Sequence, residues 1–261
     1  MSTDTVCFDL DLIRRYDGRG PRYTSYPTAL QFNDELTTQD YIDNARASNA
    51  SGVPLSLYVH IPFCAHVCFY CACNKVVTGD RSKAQPYLAA LAREIRLQAA
   101  LVDMSRPVEQ LHWGGGTPNY QTEQQMRRTY GMLADRFDLR GEISLECDPR
   151  AARADQPHLL RELGFNRISM GVQDFDQRVQ ETVNRIQPEV ITRSAVEWSR
   201  ELGFKSLNLD LMYGLPFQKA DSYSVTIDKI LELNPDRLAV FNYAHLPNLI
   251  KHQRLIKDEW L

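Results

Sequence analysis

Six short runs of apolar, β-branched and aromatic residues recur along the chain, and they constrain its fold more than any other feature. The runs cover residues 55–61, 108–113, 142–147, 166–172, 206–212 and 237–243. Several are apolar at nearly every position, which is typical of parallel strands that are covered on both faces. Residues 1–50 lack this regularity, because glycine and proline interrupt them between Gly18 and Pro27. We therefore predict an irregular N-terminal extension over residues 1–50 and an α/β domain over residues 51–261.

Segments with helical periodicity separate the predicted strands. Three of them carry side chains at helical spacing, namely Leu88, Leu91, Ile95 and Val102; Met126, Tyr130, Leu133 and Phe137; and Val190, Ser194, Trp198 and Leu202. The third series has the least uniform apolar face. Thr122 and Gln125 have the spacing of a capping box, which predicts where the second of these helices begins.

The pentapeptide Arg-Glu-Leu-Gly-Phe occurs twice, at residues 161–165 and 200–204, and each copy lies just before a predicted strand. Gly164 and Gly203 suit the left-handed residue that ends many helices. Strand, helix, glycine stop and strand form the repeating unit of a parallel β/α fold. The repeat therefore predicts that helices connect neighbouring parallel strands.

Every predicted strand finishes in polar or glycine-rich residues, at its end or just after it, and this favours a barrel over a doubly wound sheet. In a β/α barrel all these ends meet on the one face that carries the active site. From the first strand to the sixth they are His60 and Cys64; the run Gly114-Gly115-Gly116-Thr117-Pro118; Glu146 and Asp148; Gln173 and Asp174; Asp210 and Tyr213; and Asn242, Tyr243 and His245. We therefore predict an incomplete TIM-like (β/α)6 barrel with a functional site at this face.

The charge and apolar patterning exclude several classes of partner. The formal net charge of -3 gives no electrostatic reason to expect a nucleic acid. No apolar run approaches the roughly 18 residues that cross a membrane, and the polar N-terminus does not resemble a secretory signal. We therefore expect a cytoplasmic monomer without nucleic-acid or membrane partners, whose six cysteines are reduced thiols.

Three cysteines directly follow the first predicted strand, in the pattern Cys64-x-x-x-Cys68-x-x-Cys71. Thiolates this close together on a loop can hold one small metal centre. A four-iron cubane held by three thiolates would leave one iron open to another ligand. Zinc is the alternative, with Cys73 or His66 as a fourth ligand.

The cysteine spacing resembles the signature of the radical S-adenosylmethionine (SAM) superfamily. Tyr70, just before the third cysteine, matches an aromatic position that contacts adenine there, and Gly114-Gly115-Gly116-Thr117 resembles the glycine-rich motif. Without Cβ atoms, these glycines could let the backbone approach a ligand closely and present its polar groups. In this superfamily the open iron binds SAM, and an electron from the cluster cleaves it to methionine and a 5′-deoxyadenosyl radical.

Five longer stretches resemble the oxygen-independent coproporphyrinogen III oxidases. These stretches are residues 20–28, 55–63, 111–118, 171–175 and 241–247. The resemblance implies an oxidoreductase of haem biosynthesis that decarboxylates two propionates of coproporphyrinogen III to vinyl groups, giving protoporphyrinogen IX. It also implies a 4Fe-4S cluster, one or two SAM molecules and a small reducing electron donor. The alternative is a haem-binding chaperone of the same superfamily. Cys73 and the Tyr23-Thr-Ser-Tyr26 run argue against it, because both resemble the oxidase.

The resemblance also assigns site residues by position. The implied cluster ligands are Cys64, Cys68 and Cys71. One SAM would contact Tyr58, Gly115 and Glu146. The implied contacts of a second SAM are Tyr70, Gly116, Thr117, Gln173, Arg185, Asp210 and Ala244.

Two further expectations concern the ends of the chain. The family's chains continue into the rest of the barrel and a helical domain, so we expect residue 261 to precede a missing part of the substrate site. In that case the chain would be inactive alone.

Residues 18–28 carry Arg22, Tyr23 and Tyr26. We expect this segment to fold over the strand ends, with packing on the outside of the barrel as the alternative.

Overall fold

A computed structural model describes the chain in four ranges, which are residues 7–18, 27–28, 31–152 and 155–261. The chain divides into two compact units, residues 1–44 and 45–261. Most of residues 18–28 lie outside the described ranges, so the expectation that Arg22 and its neighbours fold over the strand ends stays a prediction.

Two helices lie within the predicted N-terminal extension, α1 (Leu10–Tyr16) and α2 (Thr38–Ala50). The Asp9 carboxylate caps α1 by accepting a hydrogen bond from the Leu12 N–H at 2.9 Å. The second compact unit begins at Ala45, within α2, so it starts six residues before the boundary that the sequence suggests after residue 50.

The second unit contains eight strands among its described residues. They are β1 (Leu55–Ile61), β2 (Phe63–Cys64), β3 (Val76–Val77), β4 (Val108–Gly115), β5 (Leu139–Cys147), β6 (Arg167–Gln173), β7 (Ser206–Tyr213) and β8 (Arg237–Asn242). The six long strands form one parallel sheet in the order β1-β4-β5-β6-β7-β8. Every predicted strand is present, and each long strand neighbours the next one along the chain. This monotonic order confirms the TIM-like winding, since a doubly wound sheet reverses its strand order.

Helices make every connection between the long strands. They are α3 (Ala84–Ala99), α4 (Glu123–Ala134), α5 (Gln156–Glu162), α6 (Gln177–Thr182), α7 (Glu189–Glu201) and α8 (Ala220–Glu232). The capping box of α4 is confirmed, because Thr122 and Gln125 exchange hydrogen bonds between side chain and backbone. Among the described residues, no helix is both long and apolar enough to cross a membrane.

The hydrophobic core lies between the helices and one face of the sheet. Trp113 of β4 is fully buried and packs edge to face on Phe165, with ring centroids 5.0 Å apart. Leu88 and Ile95 of α3 and Met126 of α4 are buried in the same core, as their helical spacing predicts. The opposite face of the sheet is polar, and a cavity of about 350 Å³ lies against it.

The buried face of α7 differs from the predicted one. Val190 and Trp198 are 66% and 36% exposed, whereas the side chains that α7 buries are Thr192, Ala195, Val196 and Ser199. Two of these side chains carry hydroxyl groups, and that of Ser199 is satisfied by donating to the Ala195 carbonyl at 2.7 Å. The apolar spacing alone therefore predicts the wrong face.

The repeated pentapeptide ends α5 and α7 in the same way. Gly164 and Gly203 have φ angles of 92° and 73°, in the left-handed region predicted for them. At the end of α8 the equivalent position is Asn234, with a φ of 47°. Asparagine tolerates this conformation better than other residues with a side chain. The third helix therefore stops as the first two do, without a glycine to mark it.

The arginines of the two pentapeptides connect successive helix ends. Arg161 donates through Nε to the Leu202 carbonyl at 3.0 Å, and Arg200 donates to the Asn234 carbonyl at 2.8 Å. Each arginine thus satisfies a carbonyl at the end of the next long helix, where no intrahelical donor is available. Arg200 also pairs with Asp236 at 2.8 Å. These contacts link neighbouring β/α units at the edge opposite the cysteines.

We predict that Gly203→Ala lowers the free energy of unfolding by about 1 kcal/mol, because alanine resists the left-handed conformation. A Cβ atom at Gly203 would meet nothing within 4 Å, so the cost is purely conformational. Gly131→Ala is the matched control, since Gly131 lies within α4, also with open space around it. It should raise the same free energy by about 1 kcal/mol. Urea denaturation followed by circular dichroism measures both changes, and two changes of the same sign would contradict the prediction.

Candidate functional site

One cavity of about 160 Å³ lies where residues 62–78, the cysteine loop, meet the C-terminal ends of the strands. The predicted site residues that line this cavity are Cys64, Cys68, Tyr70, Cys71, Gly115, Gly116, Thr117, Glu146, Gln173, Arg185 and Asp210. They meet here because the ends of parallel strands share one edge of the sheet. The fold therefore brings these side chains together, while their roles as ligands stay predictions.

Tyr58 and Ala244 are the two predicted site residues that do not line the cavity. The Tyr58 side chain is 59% exposed, and its hydroxyl bonds to Nδ1 of His60 at 3.0 Å. The Ala244 carbonyl accepts a hydrogen bond from Nε2 of Gln253 at 3.1 Å. The same amide donates to the Tyr70 carbonyl, also at 3.1 Å, so Ala244 is joined to the cysteine loop through one side chain.

Backbone pairing holds the two ends of the cysteine loop. The strands β2 and β3 pair in parallel, with Phe63 opposite Val76 and Cys64 opposite Val77. The Thr117 N–H donates to the Phe63 carbonyl at 2.8 Å and ties the loop to the end of β4. Two-residue strands carry too little periodicity to be recognised from a sequence, so this pairing was not predicted.

Contacts from later in the chain hold the middle of the loop. The Phe69 N–H donates to the Val183 carbonyl at 2.9 Å, and the Asn184 side chain donates to the Val67 carbonyl at 2.7 Å. The Gln253 side chain is fully buried while it bonds to Tyr70. These residues position the loop from outside the cysteine motif, and nothing in the sequence pattern marks them.

Two of the loop thiols accept hydrogen bonds from side chains that lie outside the cysteine loop. The Thr117 hydroxyl donates to Sγ of Cys64 at 3.3 Å. Two guanidinium groups face Cys68, with Arg150 at 3.5 Å and Arg185 at 3.7 Å from its sulfur. Such donors favour the thiolate, which is the form that binds iron.

The pKa values of the outer two thiols are shifted in opposite directions. A hydrogen bond from the Cys73 thiol, helped by the charge of Lys75, lowers the pKa of Cys71 to about 5. Burial raises the pKa of Cys64, although the hydrogen bond from Thr117 opposes that shift. Of these two thiols, Cys71 is therefore the one whose surroundings favour the anion.

The thiols do not converge on a point. Within the described ranges, no three His, Cys, Asp or Glu side chains are arranged to hold a single metal ion. A cubane binds each thiolate to a different iron, so its ligands can stand further apart than the ligands of one ion. The geometry therefore gives no support to the zinc alternative with Cys73 or His66.

The glycine triplet has a structural role that the sequence did not predict, while its predicted contact with a ligand stays a prediction. We expected the missing side chains to leave room for a ligand, but a Cβ atom at Gly116 would lie 2.6 Å from the Pro62 carbonyl oxygen. At Gly115, where φ is 115°, a Cβ atom would lie 2.6 Å from the His60 ring. The triplet thus lets β4 approach the beginning of the cysteine loop.

The N–H groups around the triplet are also occupied within the protein. The Gly115 N–H donates to the Glu146 carboxylate at 3.0 Å, and the Gly116 N–H donates to the Ile61 carbonyl at 2.8 Å. Of the two, only the first has a side chain as acceptor. A ligand could compete for the Gly115 N–H by displacing or pairing with Glu146, whereas the Gly116 N–H is committed to the sheet.

Two buried polar atoms at the cavity have no hydrogen-bond partner among the residues that the structure describes. They are Oε1 of Gln173 and Nε of Arg185, on side chains that both line the cavity. Gln173 also has a φ of 72°, which is strained for a residue with a side chain. Unpaired buried polar atoms are costly unless a ligand or water satisfies them. Their position therefore fits a polar ligand between these two side chains.

The carboxylates of Asp148 and Asp210 also line the cavity. Burial raises the pKa of Asp210 to about 6, although Ser169 and Asn208 both donate to its Oδ1 atom. Burial alone would also raise the pKa of Asp148, but the charges of Arg185 and Arg150 outweigh it and lower this pKa to about 2. Near neutral pH the cavity thus combines anionic oxygens with cationic nitrogens.

The cavity continues towards the polar face of the sheet. Glu146, Ser169 and Asp210 line both the cavity at the loop and the cavity of about 350 Å³ on that face. A ligand larger than about 160 Å³ therefore has adjoining polar space to extend into. Ser169 and Asn208 lie in the interior of β6 and β7, so their share in this site was not predicted from the strand ends.

Residues 58–230 match the Radical SAM superfamily. This match covers more than half of the chain, and the chain belongs to the radical SAM superfamily. The match confirms the superfamily that the cysteine spacing predicts.

Within this superfamily the chain is similar to oxygen-independent coproporphyrinogen III oxidases. It is 52% identical to the protein of that name from Pseudomonas aeruginosa, an alignment that covers 98% of this chain and 56% of the relative. It is 49% identical to the one from Escherichia coli strain K12, over 99% of this chain and 56% of the relative. The resemblance found in the sequence is thereby confirmed, and the chain spans just over half the length of these relatives.

A solved structure agrees with these matches. The radical SAM enzyme coproporphyrinogen III oxidase from E. coli superposes with a TM-score of 0.89 at 47% identity, over 98% of this chain and 57% of that one. The archaeal Elp3 protein of Methanocaldococcus infernus, at 14% identity and a TM-score of 0.54, shares the fold alone.

We predict that Asp210→Asn stabilises the protein at about pH 7.5 and has little effect at about pH 4. Because the pKa is raised on folding, the folded protein binds more protons than the unfolded chain between about pH 4 and pH 6. The carboxyl therefore makes the free energy of unfolding fall as the pH rises through this window. Removing the carboxylate should raise the free energy of unfolding at neutral pH by on the order of 2 kcal/mol.

Urea denaturation of the cluster-free protein at both pH values measures this effect. Asp236→Asn is a control of opposite sign, because hydrogen bonds from the Leu207 N–H and Arg200 lower the pKa of Asp236. It should destabilise the protein at about pH 7.5. An Asp210→Asn variant that is equally changed at both pH values would contradict the prediction.

Proposed function

We propose that this chain is the cluster-binding and SAM-binding part of an oxygen-independent coproporphyrinogen III oxidase. The reaction is the oxidative decarboxylation of two propionates of coproporphyrinogen III to vinyl groups, which gives protoporphyrinogen IX. One observation carries the proposal, the strand-end cavity that joins three thiols with their donors to the unpaired polar atoms of Gln173 and Arg185. Relatives named for this activity, aligned over 98% of the chain, support the choice of substrate.

The cysteines Cys64, Cys68 and Cys71 would hold a 4Fe-4S cluster. Hydrogen bonds to the sulfurs and a cationic environment both stabilise thiolates that bind iron. With three thiolates for four irons, one iron stays open to SAM. When bound, the cluster and SAM together supply the radical that removes a hydrogen atom from the substrate.

The polar groups of the cavity would bind SAM. The Glu146 carboxylate can accept from an ammonium or hydroxyl group once it releases the Gly115 N–H, and Tyr58 lies next to Glu146 at the rim. We assign these three residues to one SAM molecule. In this assignment the side chains bind and orient the amino-acid end of SAM close to the open iron.

A second set of residues would bind a further SAM molecule. Nε of Arg185 can donate to a carboxylate and Oε1 of Gln173 can accept from an amine or hydroxyl, which would satisfy both unpaired atoms. Asp210 can accept from hydroxyl groups at the junction with the inner cavity. The remaining members of this set are Tyr70, Gly116, Thr117 and Ala244. Gly116 can contribute only its carbonyl or its surface, because its N–H is committed to Ile61.

The proposal includes the partners and location that this activity requires. The substrate is coproporphyrinogen III, and a small reducing donor supplies the electron. Free thiols at the three ligand positions suit the reducing conditions of the cytoplasm. We also propose that the protein acts as a monomer, without nucleic acid or membrane.

Anaerobic reconstitution with iron and sulfide tests the cluster. We predict about four irons per chain, in line with one cubane, and a brown protein that cleaves SAM when reduced. Cys64→Ala should lose both the colour and SAM cleavage. Cys7→Ala is the matched control, because Cys7 is exposed and does not line the cavity, and it should keep both. A Cys64→Ala variant with a full cluster and normal SAM cleavage would overturn the ligand assignment.

A chimera tests the substrate. In it, this chain replaces the aligned part of the P. aeruginosa relative, so that the whole length of the relative is present. We expect the reconstituted chimera to convert coproporphyrinogen III to protoporphyrinogen IX, measured by chromatography of the porphyrins after oxidation. SAM cleavage without this conversion would overturn the substrate assignment, and tight stoichiometric haem binding would point to the haem-binding chaperone instead.

A further inference from the structure

Cys68 is the thiol with the most cationic surroundings at the site. It is the most buried of the three loop cysteines, at 8% exposed. Its sulfur accepts hydrogen bonds from the guanidinium groups of both Arg150 and Arg185. By contrast, the nearest donor to Cys64 is the neutral hydroxyl of Thr117.

A single carboxylate holds the two arginines in place. Arg150 donates through Nε to Oδ1 of Asp148 at 3.0 Å and through a terminal nitrogen to Oδ2 at 2.7 Å. Arg185 approaches the same Oδ2 atom at 3.5 Å. Asp148 is fixed in turn, since its backbone exchanges two hydrogen bonds with the side chain of the fully buried Asn119.

The group formed by Asp148, Arg150 and Arg185 carries one net positive charge beside Cys68. Its side chains are 14%, 20% and 8% exposed, so water screens this charge only weakly. Arg185 is committed to the Gly171 carbonyl and to the polar ligand proposed above. The Arg150 side chain donates to Asp148 and Cys68.

The reduction potential of an iron–sulfur cluster depends on the net charge around it and on hydrogen bonds to its sulfurs. Reduction adds one negative charge to the cluster. A cation and an N–H donor at a ligating sulfur therefore stabilise the reduced form more than the oxidised form. A guanidinium held by two hydrogen bonds can do this without losing orientation.

We propose that Arg150 is a positioning residue that raises the reduction potential of the cluster by donating to the sulfur of Cys68, with Asp148 fixing its orientation. The inference rests on the proposed function, because it takes Cys68 as a cluster ligand. In this inference Arg150 and Asp148 tune how readily the cluster accepts an electron.

The test is a redox titration of the reconstituted protein without SAM, followed by electron paramagnetic resonance in the presence of mediator dyes. Arg150→Met removes the charge and the donors but keeps a long side chain. At the midpoint potential of the unmodified protein, we expect its ratio of reduced to oxidised cluster to fall about tenfold, which corresponds to 59 mV for one electron. Iron and sulfide contents should stay unchanged.

Arg127→Met is the matched control. Arg127 also pairs with a carboxylate through two hydrogen bonds of 2.7 Å each, to Glu162, but it faces no thiol. Its removal should leave the midpoint potential unchanged. If Arg150→Met does not retain the cluster, Arg150→Gln, which keeps an N–H donor without the charge, is titrated in its place and should also shift to lower potential.

The outcomes separate this inference from the function on which it rests. A full cluster with an unchanged midpoint potential in the Arg150 variant would overturn the role of Arg150 and leave the proposed function intact. An equal shift in Arg127→Met would overturn it too, because the effect would then be one of overall charge. An unmodified chain that binds no cluster would refute the proposed function and this inference together.

Discussion

The close approach of two backbone segments underlies the whole candidate site. Gly116 lies so near Pro62 that any Cβ atom would be 2.6 Å from a carbonyl oxygen. This approach allows the Gly116 and Thr117 N–H groups to bond to the carbonyls of Ile61 and Phe63. The beginning of the cysteine loop is thereby attached to the end of β4, and the cavity forms between the loop and the remaining strand ends.

The regular part of the fold could be predicted because its signals are local. All six long strands were predicted from runs of apolar, β-branched and aromatic residues, and the two glycine stops from a repeated pentapeptide. The buried face of α7 was predicted wrongly, since the small residues Thr192, Ala195 and Ser199 are buried there while Trp198 stays partly exposed. A hydrophobic pattern does not register a buried hydroxyl whose hydrogen bond is satisfied within its own helix, such as that of Ser199.

The site could be predicted as a set of residues but not as a set of contacts. The strand ends predict that Glu146, Gln173 and Asp210 share one edge, because every parallel strand ends there. The position of Arg150 beside Cys68 depends on a three-dimensional contact across 82 residues of chain. The glycine triplet shows the same limit, since the sequence locates it while the close approach of Gly115 to His60 and of Gly116 to Pro62 is visible only in three dimensions.

The hydrogen bond between Gln253 and Tyr70 has a consequence for the order of events during synthesis. It joins residues that are 183 positions apart, and Gln253 is fully buried when it forms. His252 bonds to the Cys71 carbonyl across a similar span. A ribosome must therefore complete nearly all of the described chain before the middle of the cysteine loop acquires its last contacts. Until then the three thiols are presented on a loop that is anchored only in part.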